Sequence, residues 1–68
     1  MYLYYDRMAK MYTLETDDDV EFLGPMAQTM LILKKKYDMT FDQARGAAVT
    51  AYSNAGAPVD IEFMKKIY

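Results

Sequence analysis

The 68-residue sequence contains neither cysteine nor histidine, and these absences remove several classes of function. Without cysteine there is no disulfide scaffold and no thiolate metal site. Without histidine there is no imidazole metal ligand and no nucleophile–histidine triad, and acid–base catalysis near neutral pH loses its commonest group. Ser53 is the one serine, and no candidate base lies beside it in the sequence. We therefore expect no enzyme, no catalytic residue, no cofactor and no metal ion.

Long hydrophobic runs are also missing. The longest aliphatic run is Met30–Leu33, whereas a membrane-spanning helix needs ~20 apolar residues. The first residues lack the basic start and apolar stretch of a signal peptide. We expect no membrane association and, since a cysteine-free chain suits a reducing compartment, a cytoplasmic location.

The composition is that of one small folded domain. Hydrophobic residues make up 53% of the chain and the formal net charge is −2, which argues against a disordered tail. A chain of this size buries only about 60% of its unfolded surface. Because no disulfide or metal can add stability, binding to a partner or self-association is expected.

Three segments in the last two thirds of the chain carry helix signals. Residues 25–37 begin with Pro25, which suits a first helical turn, and apolar residues recur there with helical spacing at Met26, Met30, Leu33 and Tyr37. Residues 41–54 follow a capping box formed by Thr40 and Gln43. The apolar face of this second helix comprises Phe41, Ala44, Ala48, Ala51, Tyr52 and Ala55, and Gly56 and Pro58 end it. A third helix is predicted over residues 58–67, with Val59, Phe63 and Ile67 buried.

The N-terminal third is ambiguous. The sequence of residues 1–16 is compatible with a helix or with two strands joined by a loop. Residues 17–23 are predicted to form a short helix. Because an isolated hairpin is marginally stable, the helical interpretation is favoured. The predicted fold is mainly α, a small bundle of three to four helices with an irregular or strand-like N-terminus.

The densest polar feature is the acidic cluster of Glu15, Asp17, Asp18, Asp19 and Glu21, of which the last four are the expected electrostatic contacts. A calcium-binding loop fails in detail, because Phe22 occupies the position that needs glycine and Gln28 the position that needs glutamate. Two interpretations remain. The cluster is either the cap and first turn of a helix or an anionic patch that steers a partner protein.

Seven methionines and seven tyrosines suggest a binding surface, since both residue types are common at interfaces. Several apolar residues fall off the predicted buried faces, and we expect them to be partner contacts: Tyr2, Tyr4, Ile32, Ile61 and Tyr68. We therefore predict a non-enzymatic protein–protein interaction module. It would be a small bacterial or phage regulator or inhibitor that binds a larger protein through an acidic, Tyr/Met-rich surface, and homodimerisation is a further expectation.

The alternative is a DNA-binding regulator of the helix-turn-helix type. Residues 37–40 would be the turn and helix 41–54 the recognition helix, and the residues that would contact nucleic acid are Lys34, Lys35, Lys36, Gln43 and Arg45. Asp42 would face the phosphates, however, and an acidic chain gains little from phosphate neutralisation. We do not expect nucleic acid to be the partner.

Overall fold

The computed structural model describes residues 1–54 and 56–68, and it shows a four-stranded antiparallel sheet combined with three helices. Helices account for 46% of the chain and strands for 25%. The prediction of a mainly α helical bundle is therefore wrong, because the N-terminal third forms strands that pair with one another and with a short strand near the end of the chain.

Three strands follow one another as a meander: β1 (Tyr2–Asp6), β2 (Met11–Glu15) and β3 (Val20–Gly24). The two-residue strand β4 (Val59–Asp60) adds to the free side of β1, so the strand order is β3-β2-β1-β4. Residues 1–16 thus contain a hairpin, and a register shift beside Tyr12 and Thr13 marks a bulge between β2 and β3.

The short helix predicted over residues 17–23 does not form. The backbone N–H of Thr16 donates to the carbonyl of Asp19 at 2.9 Å, and the backbone N–H of Asp19 donates to the Thr16 hydroxyl at 3.1 Å. These bonds close a turn between β2 and β3. The helix-cap interpretation of the acidic cluster is therefore wrong.

The helices lie close to their predicted ranges where the signals were local. Helix α1 (Met26–Lys36) and helix α2 (Phe41–Ser53) match the predicted 25–37 and 41–54 to within a residue, and the Thr40–Gln43 capping box is present. Helix α3 (Ile61–Ile67) begins later than residue 58, because Val59 and Asp60 pair with β1 and the Asp60 carboxylate caps the helix.

All three helices lie on one side of the sheet. Helix α2 packs against β1 and β4, α1 packs against β2 and β3, and α3 packs against α2. The core between the layers contains Leu3, Tyr12, Leu14, Leu23, Leu33, Ala44, Ala47, Ala48, Ala51, Ile61 and Met64. Alanines on α2 let the helix approach the sheet closely.

Two predicted buried faces need correction. Phe41 and Tyr52 are about half exposed although their helix face was predicted to be buried, and Ala55 lies outside the described residues. On α3, Phe63 and Ile67 are exposed, whereas Ile61 is fully buried. In the part of the chain that the structure describes, no helix has the length and apolar character needed to cross a bilayer.

Candidate functional site

The side of the sheet opposite the helices is the most unusual surface of the molecule. Residues paired across antiparallel strands point to the same side, so the partners of the outward-pointing side chains can be read from the strand register. No helix or strand of the described residues covers this side. We call it the open face and define it by Tyr2, Tyr4, Asp6, Met11, Thr13, Glu15, Val20, Phe22 and Asp60.

Three rows of side chains cross the open face, and the row nearest the β1–β2 turn is the pair of Asp6 and Met11. Tyr4, Thr13 and Phe22 lie side by side in the middle row, and Tyr2, Glu15 and Val20 form the next. Phe22 is 82% exposed and Tyr2 is 44% exposed. In the adjoining β1–β2 turn, Met8 is 95% exposed. The open face therefore exposes aromatic and aliphatic side chains on both sides of Thr13 and Glu15, and several exposed apolar side chains on one surface are typical of an interaction site.

The two ends of the open face differ in charge. One end, which we call the acidic end, carries Glu15, Asp17, Asp18, Asp19 and Asp60. The opposite end, which we call the basic end, is the β1–β2 turn with Arg7 and Lys10. Asp6 also lies at the basic end, where its Oδ1 atom accepts hydrogen bonds from the backbone N–H groups of Met8 and Ala9.

Three of the four predicted acidic contacts lie together. Asp17, Asp18 and Asp19 are exposed in the β2–β3 turn, and the Asp19 carboxylate accepts a hydrogen bond from the backbone N–H of Val20 at 2.7 Å. Glu21 lies apart from them, on the helix-facing side of β3.

Glu21 connects the sheet to the end of α1. Its carboxylate accepts hydrogen bonds from the Lys36 ammonium and, at 2.6 Å, from the Tyr37 hydroxyl. The Lys36 hydrogen bond is the main reason why the pKa of Glu21 is lowered. Glu21 is therefore a contact between the two layers of the fold and not part of the acidic end.

The predicted apolar contacts are scattered over the molecule. Tyr2 and Tyr4 lie on the open face, Tyr68 is exposed beside Gly46 of α2, and Ile32 is half-buried against the core. The prediction that Ile61 is exposed is wrong, because the short strand β4 shifts the start of α3 and turns Ile61 inward. Sequence reasoning missed Met8, Met11, Val20 and Phe22. Apolar residues at alternate positions 20 and 22 were the available signal.

Some of the residues that were predicted to contact DNA instead contact other residues of this chain. The Gln43 side chain accepts a hydrogen bond from the backbone N–H of Thr40 and donates to the carbonyl of Lys65 at 3.1 Å. Lys36 pairs with Glu21, and the Lys34 ammonium lies 5.8 Å from the centre of the Phe41 ring. Lys35 and Arg45 are exposed, as is Lys34. Because the Gln43 side chain is hydrogen-bonded to α3, these contacts do not support the prediction that α2 contacts DNA bases.

Tyr12 has the largest pKa shift of the titratable groups, and it lies in the core. Tyr12 donates its hydroxyl hydrogen to the carbonyl oxygen of Ala48 at 2.9 Å, and burial followed by the neighbouring Tyr5 and Tyr52 raises its pKa to about 12. A buried, protonated phenol of this kind contributes to the packing of the core.

Within residues 1–54 and 56–68, no group of three or more acidic side chains is arranged to hold a metal ion. No protein family, no curated protein and no solved structure matches this chain.

Proposed function

We propose that this protein is a non-enzymatic interaction module that docks onto a larger protein through its open face and regulates or inhibits that protein in the cytoplasm. One observation supports this proposal most directly. An antiparallel sheet with one solvated face normally presents polar side chains to water on that face. Here five of the nine outward positions carry aromatic or aliphatic side chains, namely Tyr2, Tyr4, Met11, Val20 and Phe22. None of these five side chains is fully buried in the folded chain.

The chemistry of the open face also suggests the kind of surface it would contact. Tyrosine combines a large apolar ring with a hydroxyl group and is favoured at interfaces, and a row of aromatics can fill an apolar cleft. The acidic end would lie against lysine or arginine side chains beside that cleft, which raises the association rate and sets the orientation. We therefore propose a partner with an apolar groove bordered by basic residues.

Exposed aromatics on a sheet are also used to stack the bases of single-stranded nucleic acids. Such proteins line the groove with positive charge. The acidic end places five carboxylates beside the aromatic rows, where they would repel phosphates. The charge distribution favours a protein partner.

The test is site-specific photo-crosslinking in cells that naturally make the protein. A benzophenone amino acid replaces Phe22 on the open face or, as a matched control, Phe63, which is 57% exposed on the helical side. We expect an adduct with a larger protein from position 22 only, and its loss when Tyr4→Lys is added. The proposal is contradicted if position 63 gives the same adducts, or if position 22 gives none with a larger protein.

A further inference from the structure

We propose that a second copy of this chain covers the open face when the larger partner is absent, so that two copies form a symmetric face-to-face dimer. This inference rests on the proposed function in one respect only, namely that the open face is a protein-docking surface. It adds the resting occupant of that surface, and it implies that partner binding competes with self-association.

The charged residues of the open face are separated along the direction of the strands. Strand β1 starts at the acidic end and leads into the β1–β2 turn, which carries Arg7 and Lys10. Five residues of extended strand separate the two ends by about 17 Å. The acidic residues therefore lie at one end of the open face, and Arg7 and Lys10 lie at the other.

A two-fold axis turns this arrangement into self-complementarity. When the axis lies in the plane of contact and runs perpendicular to the strands, each acidic end faces the basic end of the other copy, and the two contacts are equivalent. The middle row then lies on the axis. Phe22 meets Phe22 of the second copy, and Tyr4 meets its own counterpart. Aromatic pairs at the centre with charge pairs at the edge are the usual anatomy of an interface.

A partner surface that is basic along its whole length would match only half of this pattern. It would neutralise Asp17 and Asp18 but leave Arg7 and Lys10 facing like charges. The second copy satisfies both ends at once, which is why we favour it as the resting occupant.

The size of the open face sets the expected strength. Four strands spaced about 4.8 Å apart span roughly 15 Å, and the strands are about 17 Å long. With its two turns the open face falls short of the ~800 Å² that a standard interface buries on each partner. We therefore expect a weak dimer that dissociates in the micromolar range, which would allow a larger partner to displace the second copy.

The experiment is sedimentation velocity on the purified full chain at low ionic strength over a range of concentrations. Three variants are compared with the wild type: R7E/K10E, D17K/D18K and the four changes combined in one chain. All four residues are exposed, and Asp19 is left unchanged because it holds the turn together. Circular dichroism checks that each variant folds.

We expect the wild type to dimerise and each two-residue variant to dimerise at least tenfold more weakly, because like charges then face each other at both contacts. An equimolar mixture of the two variants should form heterodimers, since both contacts become attractive again. The four-change chain should dimerise like the wild type. Raising the salt concentration should weaken the wild-type dimer.

A matched control carries the same change of charge elsewhere. K35E/R45E reverses one lysine and one arginine on the helical side and should leave dimerisation unchanged. A wild type that stays monomeric at 0.5 mM, a mixture that fails to recover association, or equal weakening by K35E/R45E would overturn the proposal. In the crosslinking experiment, an adduct of twice the chain's mass reports the second copy and a heavier one the larger partner, so the two proposals can fail separately.

Discussion

At the scale of single residues, Tyr12 shows how one side chain joins the two layers of the fold. Its ring centroid lies 4.8 Å from that of Tyr5, whose ring in turn lies 4.9 Å from that of Tyr52 on α2. The Tyr12 hydroxyl donates to the carbonyl of Ala48. Because the raised pKa of Tyr12 belongs to the folded state alone, the stability of the protein should depend on alkaline pH.

We expect the free energy of unfolding to fall as the pH rises from 10 towards 12, because Tyr12 ionises in the unfolded chain near pH 10 and in the folded chain near 12. The loss due to this residue is about 1 kcal/mol by pH 11. Tyr12→Phe should cost about 1 kcal/mol at pH 7, through the lost hydrogen bond, and should reduce the alkaline loss.

Urea unfolding followed by circular dichroism at pH 7 and pH 11 measures both effects. Tyr2→Phe, at an exposed position of β1 outside this aromatic cluster, serves as the control and should retain the alkaline loss. An equal loss of stability between the two pH values in wild type and Tyr12→Phe would contradict the assignment.

The candidate site could be predicted only in part at this scale. Tyr2 and Tyr4 were identifiable because consecutive apolar residues at the start of the chain cannot all point inward. Phe22 was missed because its segment was assigned to a short helix, where the alternation of positions 20 and 22 has no meaning. Ile61 was misplaced because the helical period was counted from residue 58, whereas the helix begins at Ile61.

At the scale of secondary-structure elements, local signals were sufficient for the helices and insufficient for the sheet. The capping box of α2 needs only Thr40 and Gln43, which are three residues apart, so it can be recognised without knowing the rest of the fold. The strands depend on one another. An isolated β1–β2 hairpin is marginal, and β3 and β4 are what make it part of a stable sheet. The pairing of strands that are distant in sequence cannot be predicted from any one segment alone.

The capping box allows a prediction for α2. Thr40→Ala removes the side chain that accepts a hydrogen bond from the backbone N–H of Gln43 and should destabilise the protein by about 1 kcal/mol. For a chain of this length, such a loss lowers the melting temperature by about 4–8 °C. Thermal unfolding measures this change. Thr40→Ser retains the hydroxyl and should stay within about 2 °C of the wild type, and equal losses in both variants would contradict the role of the cap.

At the scale of the whole molecule, the fold has two layers and one bare side. The helices hide Leu3, Leu14 and Leu23, while the opposite side of the same strands carries the exposed Phe22 and the half-buried Tyr4. The absence of a second covering layer connects the fold to both proposals, because a larger protein or a second copy would supply that layer.

The position of β4 has a consequence for how the chain folds. The meander of β1, β2 and β3 joins neighbours in sequence, whereas Leu3 pairs with Val59, nearly the full length of the chain away. Closing such a long loop is entropically costly and slows contact formation. We expect the meander and its helices to assemble first and β4 to attach after the rate-limiting step.

Stopped-flow kinetics can test this order. Val59→Ala should cost about 1–2 kcal/mol and appear almost entirely as unfolding that is about 5–30-fold faster. Leu14→Ala, inside the meander, should instead slow folding. Slower folding of Val59→Ala would mean that β4 joins before the barrier. If β4 does join last, the native sheet should open first between β1 and β4. The backbone of β1 is then exposed before any other part of the sheet separates.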